Sequence, residues 1–121
     1  MRQTILTILL LMVPFLTVCA QSSDYYLNKA KGHISDAEYY NKKAEGYERE
    51  AENYNKKAQS YLREADYYTR NKNYDKARTY NNWAKDATDK AQTQMRWARE
   101  AREQARTRIR WAEDALRKAR Q

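Results

Sequence analysis

The residue types that most often carry chemistry are scarce in this chain. It has one His, one Cys and three Trp. His33 and Asp36 stand three apart, a spacing at which two side chains on one helix face could share a metal ion, but no third ligand follows at helical spacing. Cys19 has no second Cys to pair with, so no disulfide forms within the chain. Asp and Glu are plentiful, yet they recur as ordinary helix-surface charge, and no pair has surroundings that would tune one as acid and the other as base. Two Gly cannot build a phosphate-cradling loop. The expectation is a non-enzyme with no cofactor and no metal. What remains is Trp83, Trp97 and Trp111, one every fourteen residues, among eleven Tyr. Rings at fixed spacing act by contact, through their large apolar faces and their polar tips.

Residues 1–20 are of different composition from the rest. Arg2 precedes an uncharged apolar run of fourteen residues from Ile5 to Val18, and Val18 and Ala20 are small-residue positions before a cut. That is the make-up of a cleavable secretory signal peptide. The run is short of the roughly 20 residues a spanning helix needs. Cleavage after Ala20 leaves residues 21–121 as one exported domain, periplasmic or extracellular, with no transmembrane segment. A lipoprotein signal acylated at Cys19 is the weaker reading, because Val18 occupies the place where such signals carry a smaller residue.

Beyond residue 20 the large aliphatics are only Leu27, Ile34, Leu62, Ile109 and Leu116. High charge with so few of them ordinarily means disorder. A repeat supplies another core. Ala recurs every seventh residue at 30, 37, 44, 51, 58 and 65, then at 77, 84, 91, 98, 105, 112 and 119. Three residues after each early Ala position come His33, Tyr40, Tyr47, Tyr54, Tyr61 and Tyr68, with Tyr26 one heptad before them. This is a heptad written a to g, with Ala at a and Tyr at d. A fourteen-residue repeat lies over it: Trp83-Ala-Lys-Asp-Ala returns as Trp97-Ala-Arg-Glu-Ala and Trp111-Ala-Glu-Asp-Ala. Helix formers dominate throughout.

The spacing of twelve from Ala65 to Ala77 breaks the phase. Neither a heptad nor the usual three- or four-residue insertion absorbs it. The expected fold is therefore all-α: a long antiparallel two-helix coiled-coil hairpin, with helices over about 24–70 and 74–120 and a turn near 71–73. Ser22, Ser23 and Asp24 are candidate N-caps. If opposing residues sum to 145, every large d residue of the first helix meets an Ala of the second. Ala30 then faces Ala115, Ala44 faces Ala101, and Leu27 and Ile34 come near Leu116 and Ile109. Within residues 61–84, Tyr61, Ala65, Tyr68, Tyr74, Ala77 and Ala84 resemble the signature positions of a single tetratricopeptide repeat. That resemblance implies a helical hairpin there. It implies no peptide groove, since no 34-residue period follows.

Trp83, Trp97 and Trp111 take g positions of the second helix, where Glu64, Glu50 and Asp36 are the expected partners of their indole N–H groups. Tyr25, Tyr39 and Tyr67 take c positions of the first helix on the same flank. These six are the candidate partner-binding residues, for a homo-oligomer or another protein, because a second apolar stripe on a hairpin is expected to meet something. Charge is uneven as well: residues 24–72 carry ten Lys/Arg and nine Asp/Glu, and residues 73–121 carry thirteen and seven. Arg96, Arg99, Arg106, Arg110, Arg117 and Arg120 fall at outward b and f positions. They are candidate anion-binding residues for an anionic membrane or an acidic envelope polymer. Nucleic acid is disfavoured, since no base-reading motif accompanies the charge and export removes the chain from most of it. Arg108, at d, is expected to snorkel past Ala37.

Overall fold

The computed structural model describes the backbone of residues 2–121 and the side chains of residues 22–121. It is all α, with helix α1 over Arg2–Arg70 and helix α2 over Tyr74–Arg120. The two pack as an antiparallel hairpin. The helix expected from about residue 24 extends back to Arg2. No Gly or Pro lies between Ala20 and Asp24, so nothing there stops a helix. The expected capping role of Ser23 changes accordingly. Its hydroxyl donates to the Ala119 carbonyl at 3.2 Å and satisfies an orphan acceptor in the last turn of α2. The apolar run read as a signal peptide, with Cys19, lies outside the residues whose side chains are described.

The connection is three residues long, and its hydrogen bonds define its geometry. Lys72 N–H donates to Thr69 O at 3.1 Å, and Asn73 N–H donates to Tyr68 O at 2.8 Å. This crossed pair is a Schellman ending, which requires a left-handed residue at its centre. That residue is Lys72, at φ 60°. Asn adopts left-handed backbone more readily than Lys, yet the Asn residues of this turn do other work. Asn73 begins α2: its side-chain oxygen accepts from Lys76 N–H at 3.4 Å, and its carbonyl accepts from Ala77 N–H at 3.1 Å. Asn71 donates its amide to Tyr67 O at 3.1 Å. Asp75 in the first turn of α2, and Arg117, Lys118 and Arg120 in its last, complement the helix dipole.

Contacts divide the chain into a turn unit, Tyr39–Gln104, and a terminal unit, Met1–Glu38 with Ala105–Gln121. Each is built on a seam of Ala residues. Among the described residues every buried side chain is an Ala. In the turn unit Ala44, Ala98 and Ala101 cluster, with Tyr47 packed against them. In the terminal unit Ala30, Ala112 and Ala115 cluster, with Leu116 against them. Both clusters obey the expected register, since 44 + 101 and 30 + 115 are each 145. Leu27, Ile34 and Ile109 remain substantially exposed.

Two expectations follow for stability, each checked by urea unfolding. Lys72→Gly removes a left-handed penalty and raises stability by about 1 kcal/mol, whereas Asn73→Ala removes a cap and lowers it by about 1 kcal/mol. Ala44 is fully buried in the seam. Ala44→Leu, which would strengthen a conventional coiled coil, here overpacks and costs about 1–3 kcal/mol.

Candidate functional site: a flank of open aromatic notches

An Ala seam leaves no room for a tyrosine between the helices. Six d residues of α1 are instead laid across the seam onto g residues of α2. In the turn unit, Tyr68 receives Lys76 Nζ at 5.2 Å from its ring centre, and Tyr54 receives Lys90 Nζ at 5.8 Å. In alternation with these, Tyr61 meets Trp83 edge-on at 5.7 Å and Tyr47 meets Trp97 at 5.6 Å. In the terminal unit, His33 meets Trp111 at 5.5 Å and Tyr26 receives Lys118 Nζ at 5.8 Å. The g positions of α2 thus alternate indole with lysine except at Gln104, and the d rings packed on them alternate edge-to-face packing with cation–π contact.

This corrects the partners expected for the three indoles. Trp83, Trp97 and Trp111 take Tyr61, Tyr47 and His33, not the carboxylates of Glu64, Glu50 and Asp36. An exposed carboxylate keeps its water at little cost, whereas ring-on-ring contact buries apolar surface. Asp36 pairs with Arg108 Nη1 at 3.5 Å. The Arg108 guanidinium lies over Trp111, 4.6 Å from its ring centre. It does not simply pass Ala37 on its way to water; it turns along the flank.

Along α2 the d residues alternate in size: Tyr80, Ala87, Gln94, Ala101, Arg108, Ala115. Where the d residue is Ala, a notch opens. In the turn unit, Tyr54, Tyr61 and Trp83 wall one of about 270 Å³ floored by Ala87, with Lys57, Asp86 and Lys90 on its rim. Tyr40, Tyr47 and Trp97 wall another of about 330 Å³ floored by Ala101, with Lys43, Glu100 and Gln104. In the terminal unit, Tyr26, His33 and Trp111 wall one of about 300 Å³ floored by Ala115, with Lys29, Asp114 and Lys118. The sequence reading found the rings and missed the notches and their charged rims. The signal was present in the alternation at d, hidden because a core reading counts Ala and Tyr there as equivalent.

The six aromatic candidates are all exposed. The indoles retain 42–47 % of their surface, and Tyr25, Tyr39 and Tyr67 retain 57–59 %. Each of these Tyr packs edge-on against its neighbour, Tyr25 on Tyr26, Tyr39 on Tyr40 and Tyr67 on Tyr68, at 5.2 to 5.4 Å. Tyr25 and Tyr39 also lie beneath Lys29 and Lys43. They extend the walls of two notches outward. Among the candidate anion-binding residues, Arg117 is engaged by Asp114 at 3.5 Å. Arg96, Arg99, Arg106, Arg110 and Arg120 are exposed and have no ion-pair partner among the described residues.

Electrostatics at the seam's edges are those of surface pairs. Lys118, 3.3 Å away, holds the Asp114 carboxyl below the ordinary carboxylate range, with help from Arg117. On the opposite flank Arg102 contacts Glu48 at 2.8 Å from both Nε and Nη2 and holds the Glu48 carboxyl below its ordinary range. Among the described residues no group of three or more His, Cys, Asp or Glu could hold a metal ion, and no helix is long and apolar enough to cross a membrane. Compared with protein families, with curated proteins and with solved structures, the chain has no match.

A lowered carboxylate pKa contributes stability above the ordinary carboxylate range, and that contribution is lost as pH falls through the lowered value. Carboxyl titration followed by NMR is expected to give Glu48 a midpoint below the ordinary carboxylate range. In Arg102→Gln the midpoint returns upward; no movement would mean the pair does not persist in solution.

Proposed function

We propose that the chain is an exported, non-enzymatic coiled-coil assembly protein that docks through its aromatic flank, onto a second copy of itself or onto another protein. One observation carries this reading. Every indole is already held edge-on by its own chain, yet keeps close to half of its surface in water. Large rings fixed in place at one edge lose little entropy when a partner covers the other. Open notches beside them offer holes for a partner's side chains. The composition of residues 1–20 supports export.

Sedimentation velocity over a concentration series tests it, with tryptophan quenching by acrylamide alongside. The expected result is association that shields the indoles, and its loss by about tenfold or more in affinity when Trp83 and Trp97 are both replaced by Ala. Association indifferent to that double substitution removes the flank as the docking surface.

A second reading is an envelope-associated protein held to an anionic surface or polymer by the unpaired arginines, and their exposure favours it. Co-sedimentation with anionic vesicles should then weaken with salt and with Arg99→Glu plus Arg106→Glu. Binding insensitive to both excludes this reading.

A further inference from the structure

The glycines of α1 have no use within the chain. A Cβ built on Gly32 meets nothing within 4 Å, and one on Gly46 meets only Arg49 Nη2, at 3.9 Å. Glycine inside a helix weakens it relative to Ala. Neither position is a turn, and neither has positive φ. Both lie at c, on the flank that carries the exposed tyrosines.

Taken along α1 in the turn unit, the c positions read Tyr39, Gly46, Asn53, Ser60, Tyr67. A projecting ring is followed by residues that leave the surface open, and then by another ring. Tyr25 followed by Gly32 starts the same alternation in the terminal unit. Set α1 antiparallel to α1 of a second copy, with opposing c residues summing to 99. Tyr39 then meets Ser60 of the second copy, and Gly46 meets its Asn53. A two-fold axis generates the same pairs in reverse, so each large residue finds a small one and the contact is self-complementary. A parallel arrangement in equal register sets Tyr39 against Tyr39 and Gly46 against Gly46, and forfeits the fit.

Charge points to the same occupant. In the turn unit, the g positions of both helices and the c positions of α2 carry four Lys and four Asp/Glu. This flank is balanced on a chain whose net charge is +8. It is therefore the face on which two copies meet without the repulsion of their surplus arginines, and it offers no excess charge to a polyanion.

We infer that the aromatic flank of the turn unit is covered by a second copy of this chain, α1 against α1 in antiparallel two-fold contact, with Gly46 and Ser60 receiving the opposing surface. The inference rests on the reading of that flank as a docking face and names its partner.

The test uses protein expressed from its full sequence and purified in the form the cell leaves it. Dimerisation is measured by sedimentation equilibrium, and folding by helical circular dichroism and thermal melting at a concentration where the chain is monomeric. Gly46→Met adds a good helix former into open space. It is expected to leave helicity unchanged, to melt no lower than the parent, and to weaken dimerisation at least about tenfold. Tyr39→Ala is expected to weaken it as well. A parent chain that stays monomeric at its highest soluble concentration overturns the inference, and so does a Gly46→Met chain that dimerises as tightly as the parent. If Gly46→Met is without effect while the Trp83/Trp97 double substitution abolishes association, this partner geometry is wrong and the flank reading stands. If neither substitution matters, both fall.

Discussion

Among the described residues every fully buried side chain between α1 and α2 is a methyl group, and most of what distinguishes this molecule derives from that. Helices separated by Ala layers can run close together. The narrow seam leaves the tyrosines of the d series half-buried at its edge, as Tyr47 is against Ala44, Ala98 and Ala101. They cannot point inward as leucine would, so they cross over the partner helix and settle on its g residues. Exposed aromatics are thus a structural consequence of a narrow seam and not an addition to it. The seam alone is also a poor source of stability. Burying one methyl is worth about 0.8 kcal/mol, against about 1.5–3 for a larger apolar side chain. The ring layer over the seam, with Tyr80 stacked on Tyr68 at 5.5 Å and edge-on to Trp83 at 5.1 Å, supplies contact area that methyl groups cannot.

Register poses a problem for such a seam. Sliding one helix past the other by seven residues places Ala on Ala again, at almost no cost in packing. The g residues of α2 remove that degeneracy. A seven-residue slip would set indoles where lysines lie over Tyr rings, and lysines where indoles do. It would also bring Arg102 out of reach of Glu48. The short Schellman turn at Lys72 acts in the same direction, tying the helices against slips of seven or fourteen residues alike. Gln94 shows the same alternation at a cost. It fills a d position between two notches, and its side-chain oxygen is buried without a hydrogen-bond partner. A buried orphan acceptor of this kind costs about 1–3 kcal/mol.

The hairpin, its turn and its register could be read from the spacing of Ala alone, because a period of seven in one small residue specifies both which faces meet and how closely. The turn's chemistry could not. Asn71 and Asn73 flank Lys72, and residue preference favours either Asn for the left-handed position. The need for an N-cap on α2 fixes Asn73 elsewhere, and lysine accepts the strain. The partners of the indoles were misread for a related reason. Heptad geometry correctly brought g toward g, where carboxylates stand, but it says nothing of rings displaced from a crowded seam. Arg108 follows from this too: with Trp111 turned onto His33, the indole face is open to the guanidinium.

The three internal copies around the tryptophans separate what the fold needs from what it does not. In each, the Trp, the first Ala, an acidic residue and the second Ala are kept, while the middle residue is Lys85, Arg99 and Glu113 in turn. The first Ala belongs to the seam, which repeats every seven residues and would be served by any Ala heptad. The other three are wall, rim and floor of a notch, and they repeat every fourteen. Duplication of a two-heptad segment would copy all five positions alike. The middle position has nevertheless drifted through both signs of charge, and it is one of the outward positions on which an arginine stripe depends. Physical constraint is therefore concentrated on the aromatic flank and is weak on that basic position. This weighs toward contact between shaped surfaces, and against diffuse attraction to an anion, as the interaction in which such a hairpin engages.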